Sequence, residues 1–157
     1  MMRILLTEEV LLDVLLQREP AWRNSAHLWK LCETGQLHGY VSALSMHSIF
    51  VLLRSRFPPA RAEAVFSDLR LIFHTADLTG IDLAEAAAVH GMEPRASIEA
   101  ATAARICADC IVSGSIREYA DSSVPCLSPA QVLAILSHPD QEQDESQPAA
   151  FSQFTCR

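Results

Sequence analysis

The chain is expected to be an α/β domain built on a mostly parallel sheet, and three observations predict this. Short apolar runs such as Ile4-Leu5-Leu6 and Cys110-Ile111-Val112 are strand-sized. They alternate with longer segments whose apolar residues recur at helical spacing. Strands that alternate with helices imply crossover connections, and so a parallel sheet covered on both faces. At 157 residues, half hydrophobic and a fifth charged, the chain can bury roughly 68–70% of its unfolded surface as one domain without disulfides or metal.

The first strand, Ile4 to Leu6, runs directly into a helix on which Val10, Leu11, Val14 and Leu15 form the apolar face. Thr7 lies at the change, where its hydroxyl is expected to cap the helix, and Glu8 and Glu9 set negative charge against the helix dipole. Stability alone accounts for these three residues. A side chain ending the first strand of a parallel sheet also faces the crevice where such folds keep their chemistry.

Arg18-Glu19-Pro20 ends that helix, because proline disfavours helical geometry in the residue before it. Ser25 is expected to cap a second helix with Leu28, Leu31 and Cys32 on its apolar stripe. Tyr40-Val41-Ser42-Ala43 reads as a strand, and Ser45 starts a third helix that Phe57-Pro58-Pro59 breaks. A helix over 60–71 leads to a third strand at Leu71-Ile72-Phe73. Asp77-Leu78-Thr79-Gly80 turns into a helix over 81–90, and a helix over 96–107 follows the break at Gly91-Met92-Glu93-Pro94. Cys110 to Val112 is the fourth strand, Val124-Pro125-Cys126 a marginal fifth, and Ser128-Pro129 opens the last helix. Residues 1–138 form the domain. The polar, acidic tail 139–157 is expected to be disordered.

Composition narrows the function classes. No apolar run approaches the roughly 18 residues of a membrane span, and no secretory signal opens the chain, so a cytoplasmic protein is expected. The five cysteines are expected to be free thiols. Cys107 and Cys110 form a C-x-x-C with no second pair, which gives weak support to zinc or to a thiol/redox function. The formal charge of −7 argues against salt-driven binding of nucleic acid. Arg54, Arg56, Arg61 and Arg70 form a local basic stretch that reads as a solvated helix face. The six histidines show no close ligand pair, and His47 is the one expected near the crevice. No glycine-rich phosphate loop or nucleophile elbow is present.

The stretch from Ile4 to Pro20 resembles the opening of a PIN domain, the metal-dependent ribonuclease fold of many bacterial toxin and antitoxin pairs. Gly39-Tyr40-Val41-Ser42-Ala43-Leu44, Ile98-Glu99-Ala100-Ala101-Thr102-Ala103-Ala104 leading to Ala108-Asp109-Cys110-Ile111-Val112-Ser113, and Leu127-Ser128-Pro129 resemble its later blocks in the same order. The resemblance covers about residues 2–136. It implies a three-layer α/β/α sandwich around a sheet of four to five strands, and a homodimer.

In that family, carboxylates at the strand ends hold Mg or Mn, hard cations that take oxygen ligands and activate water. The resemblance places the first acid on Thr7 and an asparagine on Glu9, the second acid near Ser48, the third on Ala96 and the fourth on Ser115. All four acid positions lack a carboxylate. The expectation is therefore a protein without metal cofactor that has lost ribonuclease activity and binds RNA or a protein partner, such as an antitoxin-like protein. Thr7, Ser48, Ser113 and Ser115 would line the cleft with hydroxyls, or would simply fill a disused site with water. The alternative is an active Mg- or Mn-dependent endoribonuclease in which nearby acids, Glu8, Glu93 and Glu118, act as displaced ligands. Glu99 also lies close in sequence to one of these positions.

Overall fold

A computed structural model describes residues 1–138. The tail at 139–157, expected to be disordered, lies outside the described residues. Five strands, β1 (Arg3–Leu6), β2 (His38–Ser42), β3 (His74–Ala76), β4 (Cys110–Val112) and β5 (Cys126–Leu127), form one sheet in the order β3-β2-β1-β4-β5. Every pairing is parallel. Seven helices connect and cover them: α1 (Glu8–Leu15), α2 (Trp22–Glu33), α3 (Ala43–Arg56), α4 (Pro59–Ile72), α5 (Gly80–Ala88), α6 (Pro94–Arg105) and α7 (Pro129–Ser137). A one-turn helix at Ile116–Tyr119 lies between β4 and β5.

The sheet separates two cores. Successive side chains of a strand point to opposite faces. Ile4 and Leu6 therefore pack on one face with Val10, Leu11, Leu28, Ile49 and Val132, while Leu5 packs on the other with Ala96, Ala100, Ala103 and Tyr119. Five helices contribute to the first core. The second rests on α6, whose alanines let the helix lie close to β1 and β4.

Several local expectations are corrected. Leu71 and Ile72 end α4 instead of forming a strand, and the strand is His74–Ala76. A three-residue apolar run cannot be told from a helix end by periodicity, and here the Phe73 amide still donates to the Leu69 carbonyl, 2.9 Å. Ser25 lies inside α2, not at its start, and its hydroxyl is buried without a partner. The cap of α3 is Ser42, whose hydroxyl accepts the Ser45 amide at 3.1 Å. Helix α5 ends at Ala88, which leaves His90 beyond it.

Gly39 is required by close approach. A Cβ there would meet Cys32 Sγ at 2.7 Å and Phe73 Cδ1 at 2.9 Å, where β2 passes under α2. Gly39→Ala is expected to destabilise the fold by about 1–3 kcal/mol, the usual cost of overpacking, measured by urea unfolding.

Helices α5 and α6 are joined by an ion pair whose acid is buried and whose arginine is partly exposed. Asp82, 1% exposed, receives Arg105 Nε at 2.9 Å and Arg105 Nη2 at 3.0 Å. It also forms a capping box with Thr79. Burial pushes the Asp82 carboxyl up, but the Arg105 and Thr79 hydrogen bonds and the Arg105 charge outweigh it and hold the group below its usual 3.8. A carboxyl depressed by folding contributes stability that is complete above its unfolded value and is lost as pH falls through its folded one. The melting temperature is expected to fall on acidification below about pH 4, and less steeply in Asp82→Asn.

Candidate functional site

Strands β1, β2 and β4 run parallel, so their carboxyl ends gather Thr7, Ser42 and Ser113 along one edge of the sheet. Thr7 has extended backbone, φ −78° and ψ 160°, and stands where a cap would, but its side chain makes no cap hydrogen bond. Its amide is held in the sheet by the Val112 carbonyl at 3.1 Å. The side chain turns inward instead, and Oγ1 is buried with no partner. The expected cap is thus absent.

Glu9 crosses from α1 to the segment following β4. Its Oε1 accepts from the Ser113 hydroxyl, from the Gly114 amide at 2.9 Å and from the Ser115 amide at 3.0 Å. Its Oε2 accepts from the Ser115 hydroxyl at 3.2 Å. Two of the hydroxyls expected to line an open cleft are therefore gathered on a carboxylate of the same chain.

A second network begins at Glu8. Its Oε2 lies 2.5 Å from Arg95 Nη2, and Arg95 also donates to the Ser48 hydroxyl at 3.1 Å and the Ser45 hydroxyl at 3.2 Å. Ser45 donates in turn to Glu99, as does Ser42 at 3.1 Å. Glu99 is 2% exposed and receives a third hydroxyl, Tyr119, at 2.7 Å. Burial pushes the Tyr119 phenol up, and the Glu99 charge and hydrogen bond push it further, so it stays a donor. A buried carboxylate is costly unless its oxygens are hydrogen-bonded. Three hydroxyls meet that need here.

The acids considered as displaced ligands do not converge. Glu93 is exposed and caps α6, accepting the Ala96 amide at 3.2 Å. Glu118 is exposed on the one-turn helix. Glu8 is paired with Arg95. Among the described residues, no three His, Cys, Asp or Glu side chains are placed to hold a metal ion. The donor set does not fit Mg or Mn: Ala96 offers a methyl group, and the Arg95 cation lies against Ser48 and Glu8.

The thiols are no better placed for chemistry. Cys110 is buried and free, and burial pushes it up to about 12. Cys107 is disulfide-bonded, against the expectation of free thiols. Because Cys110 is free, the two cysteines of the C-x-x-C are not bonded to each other in this structure. Histidines do meet, although sequence spacing showed no pair. His38 and His74 start neighbouring strands with ring centroids 6.0 Å apart, at the opposite ends of the strands from this site. His47 is exposed beside Ser48.

A family model described as PIN domain matches residues 3–117. The chain belongs to the PIN-domain family. Solved structures share the fold. VapBC2 from Rickettsia felis, bound to a DNA fragment from its promoter, is 9% identical with a TM-score of 0.61, over 81% of this chain and 98% of that one. FitAcB from Neisseria gonorrhoeae is 16% identical with a TM-score of 0.63, also over 81% and 98%. FitAB bound to a DNA fragment is 16% identical with a TM-score of 0.61, over 80% and 94%. At these identities the likeness is one of fold. No curated protein matches this PIN domain.

The residues that organise this PIN-domain site were only partly visible in sequence. Glu9 looked like a helix-dipole residue, and Arg95 gave no periodic signal. Glu99 stood out only as a nearby acid, while Tyr119 reaches it from a turn remote in sequence. Glu9→Ala is expected to destabilise the fold by about 2 kcal/mol, since it strands donors that had a charged acceptor. Glu9→Gln, which keeps one oxygen, is expected to cost less by the same urea titration.

Proposed function

We propose that this PIN domain has lost metal-dependent ribonuclease activity and acts in the cytoplasm by binding a protein partner, as a homodimer. The observation that carries the reading is Arg95. Its guanidinium reaches Glu8 and Ser48 from the residue beside Ala96, among the positions that the family resemblance assigns to acids. A fixed cation there repels a divalent metal, and the one acid it touches is already paired.

Binding of a protein is favoured over binding of RNA by charge. The Glu9 carboxylate lies at the strand ends, the hydroxyls of Ser48, Ser113 and Ser115 have internal partners, and the formal charge is −7. A phosphate chain would meet repulsion there with few unspent donors. An antitoxin-like protein is the partner class that the family resemblance suggests. Thr7 is the one expected binding hydroxyl without an internal partner.

The test is RNA cleavage with Mg or Mn, run beside the variant Thr7→Asp, Ala96→Asp, Ser115→Asp and beside gel-shift binding of short RNA with and without EDTA. The expected outcome is no metal-dependent cleavage and no RNA shift by the natural chain. Mn-dependent cleavage would establish the displaced-ligand enzyme instead. An EDTA-insensitive RNA shift would overturn the choice of a protein partner.

A further inference from the structure

We propose that the outward face of α5 is where two copies of this chain meet, with the two α5 helices packed antiparallel across a twofold axis. The proposal rests on the homodimer of the proposed function and assigns that homodimer its surface.

Helix α5 carries its charge on the wrong side for a surface helix. Its two acids are Asp82 and Glu85. Asp82 is buried with Ala86, and Arg105 of α6 neutralises it. The side turned to solvent consists of Gly80, Ile81, Leu83, Ala84, Ala87 and Ala88, all exposed. Ile81 is 65% and Leu83 46% exposed, and exposed Leu78 and Val89 extend the apolar surface beyond both ends of the helix. Glu85 lies at the margin, beside α6. A surface helix normally sets charged residues on the face opposite its buried one, as α4 does with Arg61, Glu63, Asp68 and Arg70. A helix as apolar as α5 belongs in an interior, and among the described residues it packs chiefly on α6.

Charge selects the occupant. The chain carries a formal −7, so two copies repel each other over much of their surface. The outward face of α5 holds no ionisable side chain, and two copies meet there without setting like charges together. It offers nothing to a strongly basic or acidic partner. Its relief is self-complementary as well. Gly80, Ala84 and Ala88 follow one another at four-residue steps, a shallow channel beside the ridge of Ile81. In an antiparallel pair about an axis near Ala84, the Ile81 ridge of each copy lies in the small-residue channel of the other, so one contact is made twice. The same arrangement sets the amino end of each helix beside the carboxyl end of the other, which the helix dipoles favour.

The test is sedimentation equilibrium of the full chain, of Ala84→Glu, of Ala84→Lys and of an equal mixture of the two variants. Near the axis residue 84 meets its own copy, so each variant alone sets like charges together. Each is expected to dimerise at least about a hundredfold more weakly than the natural chain, and the mixture is expected to restore the dimer. Ile81→Lys, at a second exposed position of the face, is expected to weaken the dimer as well, with the natural circular dichroism spectrum kept throughout. An unchanged dimer in Ala84→Glu and Ile81→Lys would overturn the proposal, leave the homodimer standing and free the face for another protein. A mixture that stays monomeric would overturn it too. A natural chain that is monomeric at every concentration would overturn the homodimer itself, and this inference with it.

Discussion

The strand-end site depends on one carboxylate that satisfies the chain around it. Glu9 receives the backbone amides of Gly114 and Ser115 and the hydroxyls of Ser113 and Ser115. These amides leave the sheet just beyond β4 and have no strand partner. Backbone donors beyond a strand end are paired by side chains or water, and here a side chain from α1 takes that place for the exposed Gly114 and the half-buried Ser115. The first helix and the end of the fourth strand are thereby fixed to each other, although over a hundred residues separate Glu9 from Gly114.

That fixation has consequences further along the chain. The one-turn helix begins immediately after Ser115 and carries Tyr119 into the second core, where its hydroxyl reaches Glu99. Glu99 in turn collects Ser42 and Ser45 from the start of α3, and Ser45 is shared with Arg95, which reaches back to Glu8 beside Thr7. The polar groups at the strand ends are satisfied chiefly by one another. A site of this kind is electrostatically self-contained: Glu8, Glu9 and Glu99 each already have donors, which supports the proposed reading of the domain as a binder.

The two faces of the sheet are built differently, and the difference shapes the surface. Large aliphatic side chains from five helices fill the first core, whereas the second is made thin by the alanines of α6. A helix lined with small residues lies close to the sheet, and the Asp82–Arg105 pair holds α5 against it.

The sequence by itself determined the alternation of strands and helices, the α/β class and the family resemblance. It also determined that Thr7, Ser48, Ala96 and Ser115 offer no carboxylate, because residue identity needs no geometry. Period and turn chemistry located β1, β4 and α7 closely, since each has an apolar run or a Ser-Pro start that local physics reads unambiguously. They failed at Leu71-Ile72-Phe73, where a helix end and a buried strand look alike. Only the tertiary structure decided where the remaining charges go. Glu9, Arg95, Glu99 and Tyr119 meet partners on other elements, and hydrogen bonds between residues far apart in sequence leave no local pattern. Thr7 shows the division most plainly: its place at the end of β1 was legible, but the inward turn that leaves its hydroxyl without a partner depends on its pairing with Val112, which belongs to a strand formed more than a hundred residues later.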